Sequence, residues 1–198
     1  MPRATGRLLS ALLPGCVGAL SVVYANVGHG AWTRRSAIAW MMGSWGARLT
    51  LQALYADASD RPLLYSFPRL SSYVRLLAAA LFFSLPALIA ATNPDPTLSS
   101  VEIAASALWV IAFAGETTAD RQLLRFAAKP EHAGLVCRSG LWRFLPRAHA
   151  VCEGLISMAF ALFASGSPRG WIAFACPVAI LYIQFMRRDG DPGAAVAR

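Results

Sequence analysis

Apolar residues gather into six long stretches, at about 8–27, 36–56, 73–92, 99–119, 149–165 and 168–186. Each holds roughly 17–21 residues, near the ~20 that a helix needs to cross a hydrocarbon layer of ~30 Å. No strand-like alternation interrupts them. Backbone groups in lipid must bond within their own segment, so the stretches are expected to be helices. The pattern predicts an all-α, polytopic membrane helix bundle of about six transmembrane helices.

The polar segments between them are unequal. Those at about 28–35, 93–98 and 165–168 are short, and "NPDPT" (93–97) reads as a tight Pro-rich turn. The segment 57–72 is moderate. Only 120–148 is long and polar, and it is the candidate cofactor-facing segment. Residues 1–188 read as one helical domain, and 189–198, "DGDPGAAVAR", as a disordered tail.

Composition supports the membrane class. The chain is 57% hydrophobic and 14% charged, where a soluble domain has about 25% charged residues. The net charge of +8 raises the possibility of a nucleic-acid partner, but its placement argues against one. With the N-terminus inside, 14 of the 18 basic residues fall on the inner side, and Arg34, Arg35 and Arg169 fall outside. That is the positive-inside pattern, and it puts both termini in the cytosol. The expected partners are the bilayer and a lipophilic small molecule, with no nucleic acid. Seventeen arginines against one lysine, with abundant alanine, suggest a GC-rich genome and a bacterial inner membrane. The four cysteines form no CxxC pair and are expected to be reduced thiols.

Several polar residues sit where lipid is expected. Arg48 lies mid-stretch in "WGARL", and a charge there costs at least ~2.5–3.5 kcal/mol unless it faces protein or a wet cavity. Glu116 is its natural partner, as a structural pair or as the polar floor of a cavity. Glu116 and Asp120, four apart in "GETTADRQL", share a helical face and need a basic neighbour. Arg121, Arg125 and Lys129 form a basic face on an extension of that helix, suited to an interfacial position or to a polyanion. Glu153 stands near the start of the fifth helix, where an acid complements the helix dipole. His132, Cys137, His149 and Cys152 match no common zinc spacing, so no metal is expected. Cys152 with His149 is equally weak as a nucleophile pair. No phosphate-binding glycine loop is present.

The combination "GETTADRQLLRF" (115–126), "GLWRF" (140–144) and Glu153, with "WGARL" (45–49), resembles the steroid 5-alpha-reductase-like family. It is most similar to the bacterial branch of uncharacterised integral membrane proteins, over roughly residues 40–186. The resemblance implies a multi-helix membrane fold open to the cytosol. It also implies NADPH-dependent reduction of a carbon–carbon double bond conjugated to a carbonyl in a steroid-like or other lipophilic substrate. Carried over by position, the cofactor-binding residues are Glu116, Asp120, Gln122, Trp142, Arg143 and Glu153. The family's R-H-P-N-Y-F-G-E falls on Pro146 to Glu153, and only the glutamate is kept. Arg147 and His149 stand at the histidine and asparagine positions and remain candidate cofactor ligands. The tyrosine is replaced by Ala150. No carbonyl-polarising residue is assigned, and Tyr24, Tyr55 and Tyr73 stand as unranked candidates. Two other functions fit the same residues. One is a family member that binds a lipid, a nucleotide or a protein without turnover. The other is a membrane methyltransferase of the isoprenylcysteine or phospholipid type.

Overall fold

The computed structural model describes residues 2–55, 70–132, 135, 137–145 and 147–188. The expected tail at 189–198 and nearly all of the inner loop at 57–72 lie outside the described residues. The described chain is a helical bundle and contains no strand. Its helices are α1 (Pro2–Val27), α2 (Trp32–Tyr55), α3 (Leu70–Phe83), α4 (Leu85–Ala90), α5 (Ser100–Ala127), α6 (Leu141–Phe144), α7 (Ala148–Ser165) and α8 (Ala175–Arg188).

Among the described residues, two helices are long and apolar enough to cross a membrane, α5 and α7. Three of the other stretches depart from a single long apolar helix for visible reasons. Helix α2 carries Arg34, Arg35 and Arg48, which lower its hydropathy. The third stretch breaks at Ser84 into α3 and α4. Pro86 sits in the first turn of α4, where it lacks the N–H that would continue the ladder to Phe82. The thiol of Cys176 donates to that carbonyl instead, at 3.3 Å. The sixth stretch opens as a 3₁₀ turn, Gly170–Phe174, before α8 begins. Apolar side chains also cover much of the outer surface. Trp40, Ile111, Val178 and Tyr182 are all exposed, as expected of a bundle immersed in lipid.

Helix α1 packs along α2, and α5 packs along α7. Glycine makes the first contact close. A Cβ on Gly46 would lie 2.4 Å from the Pro14 carbonyl, and one on Gly18 would lie 3.4 Å from Gly43. Small residues at such a seam let helix backbones approach in an apolar solvent. Between the two hairpins lies a core that includes Ile38, Met42, Trp109, Ile156, Phe160 and Phe163. Trp45 meets Phe160 edge to face at 5.9 Å between centroids.

Helix α5 starts with a capping box. Ser99 Oγ accepts from the Glu102 N–H, and Glu102 Oε2 accepts from the Ser99 N–H at 2.7 Å. The same Glu102 is fully buried and holds Arg34, which is 2% exposed. The Arg34 Nε donates to Glu102 Oε1, and Nη2 donates to Glu102 Oε2 at 2.9 Å. Arg34 also donates to the carbonyls of Asp95 and Thr97. The expectation that Arg34 belongs to an outer loop is therefore corrected. Its guanidinium finds a carboxylate and two carbonyls inside the bundle, which compensate the loss of water. Asp95 itself is held below the usual carboxyl range, chiefly by the Thr97 backbone N–H and then by the Thr97 hydroxyl.

The glycine seam gives a stability prediction. Gly46→Val should lower the unfolding temperature of the detergent-solubilised protein, by an overpacking cost of about 1–3 kcal/mol. Gly43→Ala should leave it near the parent value, because its Cβ would meet only Val22 Cγ2 at an ordinary 3.7 Å.

Candidate functional site

At the end of the bundle opposite Arg34, three helices contribute to one charged cluster. Helix α2 brings Arg48 and Gln52, four residues apart on one face. Helix α5 brings Glu116 and Asp120 at the same spacing, 0% and 2% exposed. Helix α7 brings His149 in its first turn. The guanidinium of Arg48 ion-pairs with Glu116 Oε2 and lies 3.0 Å from Asp120 Oδ2. Gln52 Nε2 donates to the same Asp120 oxygen at 2.7 Å. His149 Nδ1 lies 3.2 Å from Asp120 Oδ1 and 3.5 Å from Glu116 Oε1. The Arg48 guanidinium also lies over the Phe113 ring, 5.1 Å from its centroid.

The arrangement explains how two buried carboxylates coexist one turn apart. Arg48 and His149 stand between them on opposite sides, and Gln52 takes one remaining lone pair. A buried charge is tolerated when it is paired in this way. The carboxylates with His149 also have the donor types of a metal site, and their ligand atoms lie within 4.8 Å of one another. Arg48 already supplies a cation to both acids.

The segment after α5 is clamped onto this cluster from outside. Helix α5 runs past its apolar part to Ala127, with Arg121 and Arg125 exposed. Lys129 lies just beyond its end, 3.8 Å from Glu131 at the surface. His132 folds back, stacks on Phe126 at 4.1 Å and lies 3.1 Å from the Phe126 carbonyl. The "GLW" triplet then docks on α5. Gly140 has φ +61°, and a Cβ there would lie 2.5 Å from the Gln122 amide. With no side chain in the way, Gln122 Oε1 accepts from the Leu141 N–H at 2.9 Å. Trp142 Nε1 donates to the Ala119 carbonyl at 3.0 Å. Gln122 and Trp142 thus hold the loop to the helix that carries Glu116 and Asp120.

The remaining candidates spread outward. Arg143 is exposed beside Phe144. Arg147 is exposed too, and its backbone is left-handed at φ 68°, where a residue with a Cβ is strained. That bend turns the chain into α7 and places His149 against the acids. Cys152 is buried against Gly115, and Cys137 is buried beside Ser139.

Glu153 lies one turn beyond His149, where Gln184 Nε2 approaches its Oε2 at 3.4 Å. It also borders a slot between α2, α4, α7 and α8, of about 310 Å³ counted with its open mouth. The slot walls include Met42, Trp45, Phe83, Ile156 and Phe160, with Glu153, Ser157, the Cys176 thiol and the Trp45 indole as the polar groups. The break between α3 and α4 gives the slot part of its wall, through Phe83 and Pro86. Trp45 stands three residues before Arg48, and Glu153 four after His149. Two helices therefore each present one residue to the charged cluster and one to the slot.

Sequence reasoning missed Gln52, Gln184 and the slot. Gln52 had a signal, since it follows Arg48 by one helical turn. Gln184 had none, because its contact with α7 depends on how α8 packs.

The cluster gives a direct energetic test. Arg48→Met should destabilise the protein by about 3–5 kcal/mol, because it leaves buried carboxylates uncompensated. Adding Glu116→Gln to that variant should restore part of the loss. Thermal unfolding followed by helical circular dichroism reads both.

Residues 7–187 match a protein family described as "Protein of unknown function (DUF1295)". No curated protein and no solved structure matches the chain. The match covers most of the sequence, including every residue of the charged cluster and the slot, and the chain belongs to the DUF1295 family.

Proposed function

We propose that this protein is an NADPH-dependent reductase of a conjugated carbon–carbon double bond in a lipophilic substrate, working in a bacterial inner membrane. The chain crosses that membrane six times with both termini in the cytosol. Three features support the topology: the apolar outer surface, the inner bias of arginine, and helices α2 and α5 running in the same direction. The likeness of the "GETTADRQLLRF" and "GLWRF" segments to the steroid 5-alpha-reductase-like family supports the chemistry. The observation that carries the proposal is the shared wall. The charged cluster and the apolar slot meet along α2 and α7, which supports a polar cofactor bound next to an apolar substrate.

The donor set suits a polyphosphate at the inner rim. Arg143 and Arg147 would hold the phosphates, with Arg121 and Arg125 adding positive field. Glu116 and Asp120 act one layer deeper, as the support that fixes Arg48 and His149. When bound, the nicotinamide supplies a hydride to the carbon beta to the carbonyl. The chain's own tasks are then to exclude water from the slot, orient the substrate and deliver a proton to the alpha carbon. His149 and Glu153, one turn apart where the cluster meets the slot, are the residues in place to move that proton.

A second function, binding without turnover, is favoured by one observation. Glu116 and Asp120 are buried and ion-paired with Arg48 and His149, so both carboxylates already serve the bundle.

Titration of the purified protein in lipid nanodiscs with NADPH tests the proposal. Binding is expected, and Arg143→Ala combined with Arg147→Gly should weaken it by about 10-fold or more, the scale of a charge-assisted hydrogen bond. Glycine is chosen at 147 because it accepts the left-handed backbone. No NADPH binding by folded protein would overturn the reductase. Binding without oxidation of NADPH across a panel of lipophilic enones would select the second function.

A further inference from the structure

Two carboxylates and one guanidinium leave the charged cluster one positive charge short. Glu116 and Asp120 are both buried, and Arg48 is the arginine that pairs with them. Arg48 and Gln52 engage only one oxygen of each acid, Glu116 Oε2 and Asp120 Oδ2. The other two oxygens, Glu116 Oε1 and Asp120 Oδ1, lie 3.5 and 3.2 Å from His149 Nδ1. All three of these atoms are buried and make no hydrogen bond among the described residues. Buried polar atoms without a partner are rare in folded proteins, and each calls for an explanation. A buried negative charge without a counter-ion is costlier still.

We propose that Glu116 Oε1, Asp120 Oδ1 and His149 Nδ1 bind one divalent first-row transition-metal ion, with zinc(II) the best fit. Zinc bonds imidazole nitrogen and carboxylate oxygen at about 2.0–2.2 Å, and two such ligands at a tetrahedral angle stand about 3.4 Å apart. The two contacts of His149 Nδ1 have that spacing. All three ligand atoms lie within 4.8 Å of one another. A turn of either carboxylate plane, a soft motion, brings the two oxygens to the same spacing. One imidazole with two carboxylates suits such an ion better than magnesium or calcium, which prefer oxygen alone. Arg48 and Gln52 hold the outer oxygens of the acids, as metal-binding carboxylates are commonly held. The ion supplies the positive charge that Arg48 leaves wanting. The His149 side chain is 32% exposed, so the ion has a way in past its ring. Three protein ligands leave a fourth position for water or a ligand oxygen, the form of a catalytic site rather than a closed structural one. Spacing along the chain gives no sign of the site, because its ligands come from α5 and α7. The inference is independent of the reductase proposal, and its test omits NADPH so that the two fail separately.

The experiment is metal uptake by the full chain in lipid nanodiscs, purified without a polyhistidine tag. The protein is stripped with a chelator and titrated with zinc(II) against a chromophoric indicator. One equivalent should bind, and magnesium should bind about 100-fold more weakly. Gln52→Ala should weaken zinc by about 10-fold, the effect of losing an outer partner. Asp120→Asn and His149→Gln, which remove ligands, should each weaken it by about 100-fold or more. His132→Ala should leave zinc binding unchanged, since that ring stacks on Phe126 outside the cluster. His149→Gln alters a partly exposed position, so it serves if Asp120→Asn fails to fold. Cobalt(II) loaded in place of zinc should give visible absorption bands that vanish in His149→Gln. No zinc uptake by the folded parent chain would mean that a proton on His149 balances the charge, and the proposal would be overturned. Zinc uptake at parental strength in both ligand variants would place the ion elsewhere on the chain and overturn it as well.

Discussion

Two arginines hold this bundle across a gap. Helices α2 and α5 have little backbone contact, yet each end of the space between them is closed by an arginine from α2 gripping a carboxylate on α5. Arg34 meets Glu102 at one end, and Arg48 meets Glu116 and Asp120 at the other. Fourteen residues separate the two arginines, and fourteen separate the two glutamates. At 1.5 Å per residue the bridges stand about 21 Å apart. Neither bridge is a simple source of stability, since bringing the charges out of water is costly. What each supplies is a strong penalty against separation, because either partner left alone would be a bare buried charge. Around them α1 packs on α2 through glycines, and α7 packs on α5.

The bridges differ in how completely they are satisfied. The Arg34 end is a closed structural joint, in which the capping box of α5, two loop carbonyls and the carboxylate surround one guanidinium. The Arg48 end adds a second acid, a histidine and an amide, and adjoins a slot that the bundle leaves partly open. One end spends its polar groups on holding the chain together. The other combines holding with a histidine and two acids, beside the slot. The titratable cluster and the slot therefore lie together at the Arg48 end of the scaffold, away from the Arg34 joint.

Much of this was legible in the sequence, and the reasons are specific. The apolar stretches located the long helices because length and hydropathy depend on local composition alone. Arg48 and Glu116 drew attention because a charge in an apolar stretch needs a partner. Arg34 did not, since it lies at the edge of its stretch and reads as a loop residue until the loop folds over it. The break at Ser84 was hidden because proline near a helix start and proline inside a helix look alike in one dimension. The slot followed from that break and could not be read without it. Gln122 and Trp142 were legible as a motif but not as a clamp, because their acceptor and donor come from backbone groups across a turn.

The equal spacing of the bridges has a consequence for how this chain can change length. One residue inserted into α2 between Arg34 and Arg48 would turn everything beyond it by about 100° and advance it by about 1.5 Å. Arg48 would then point away from Glu116 while Arg34 stayed bound. The same holds for α5 between Glu102 and Glu116. The two helices are in effect a matched pair of rulers, and their interiors cannot gain or lose residues independently. Changes of length are left to the segments outside the bridges, such as the polar stretch between α5 and α7.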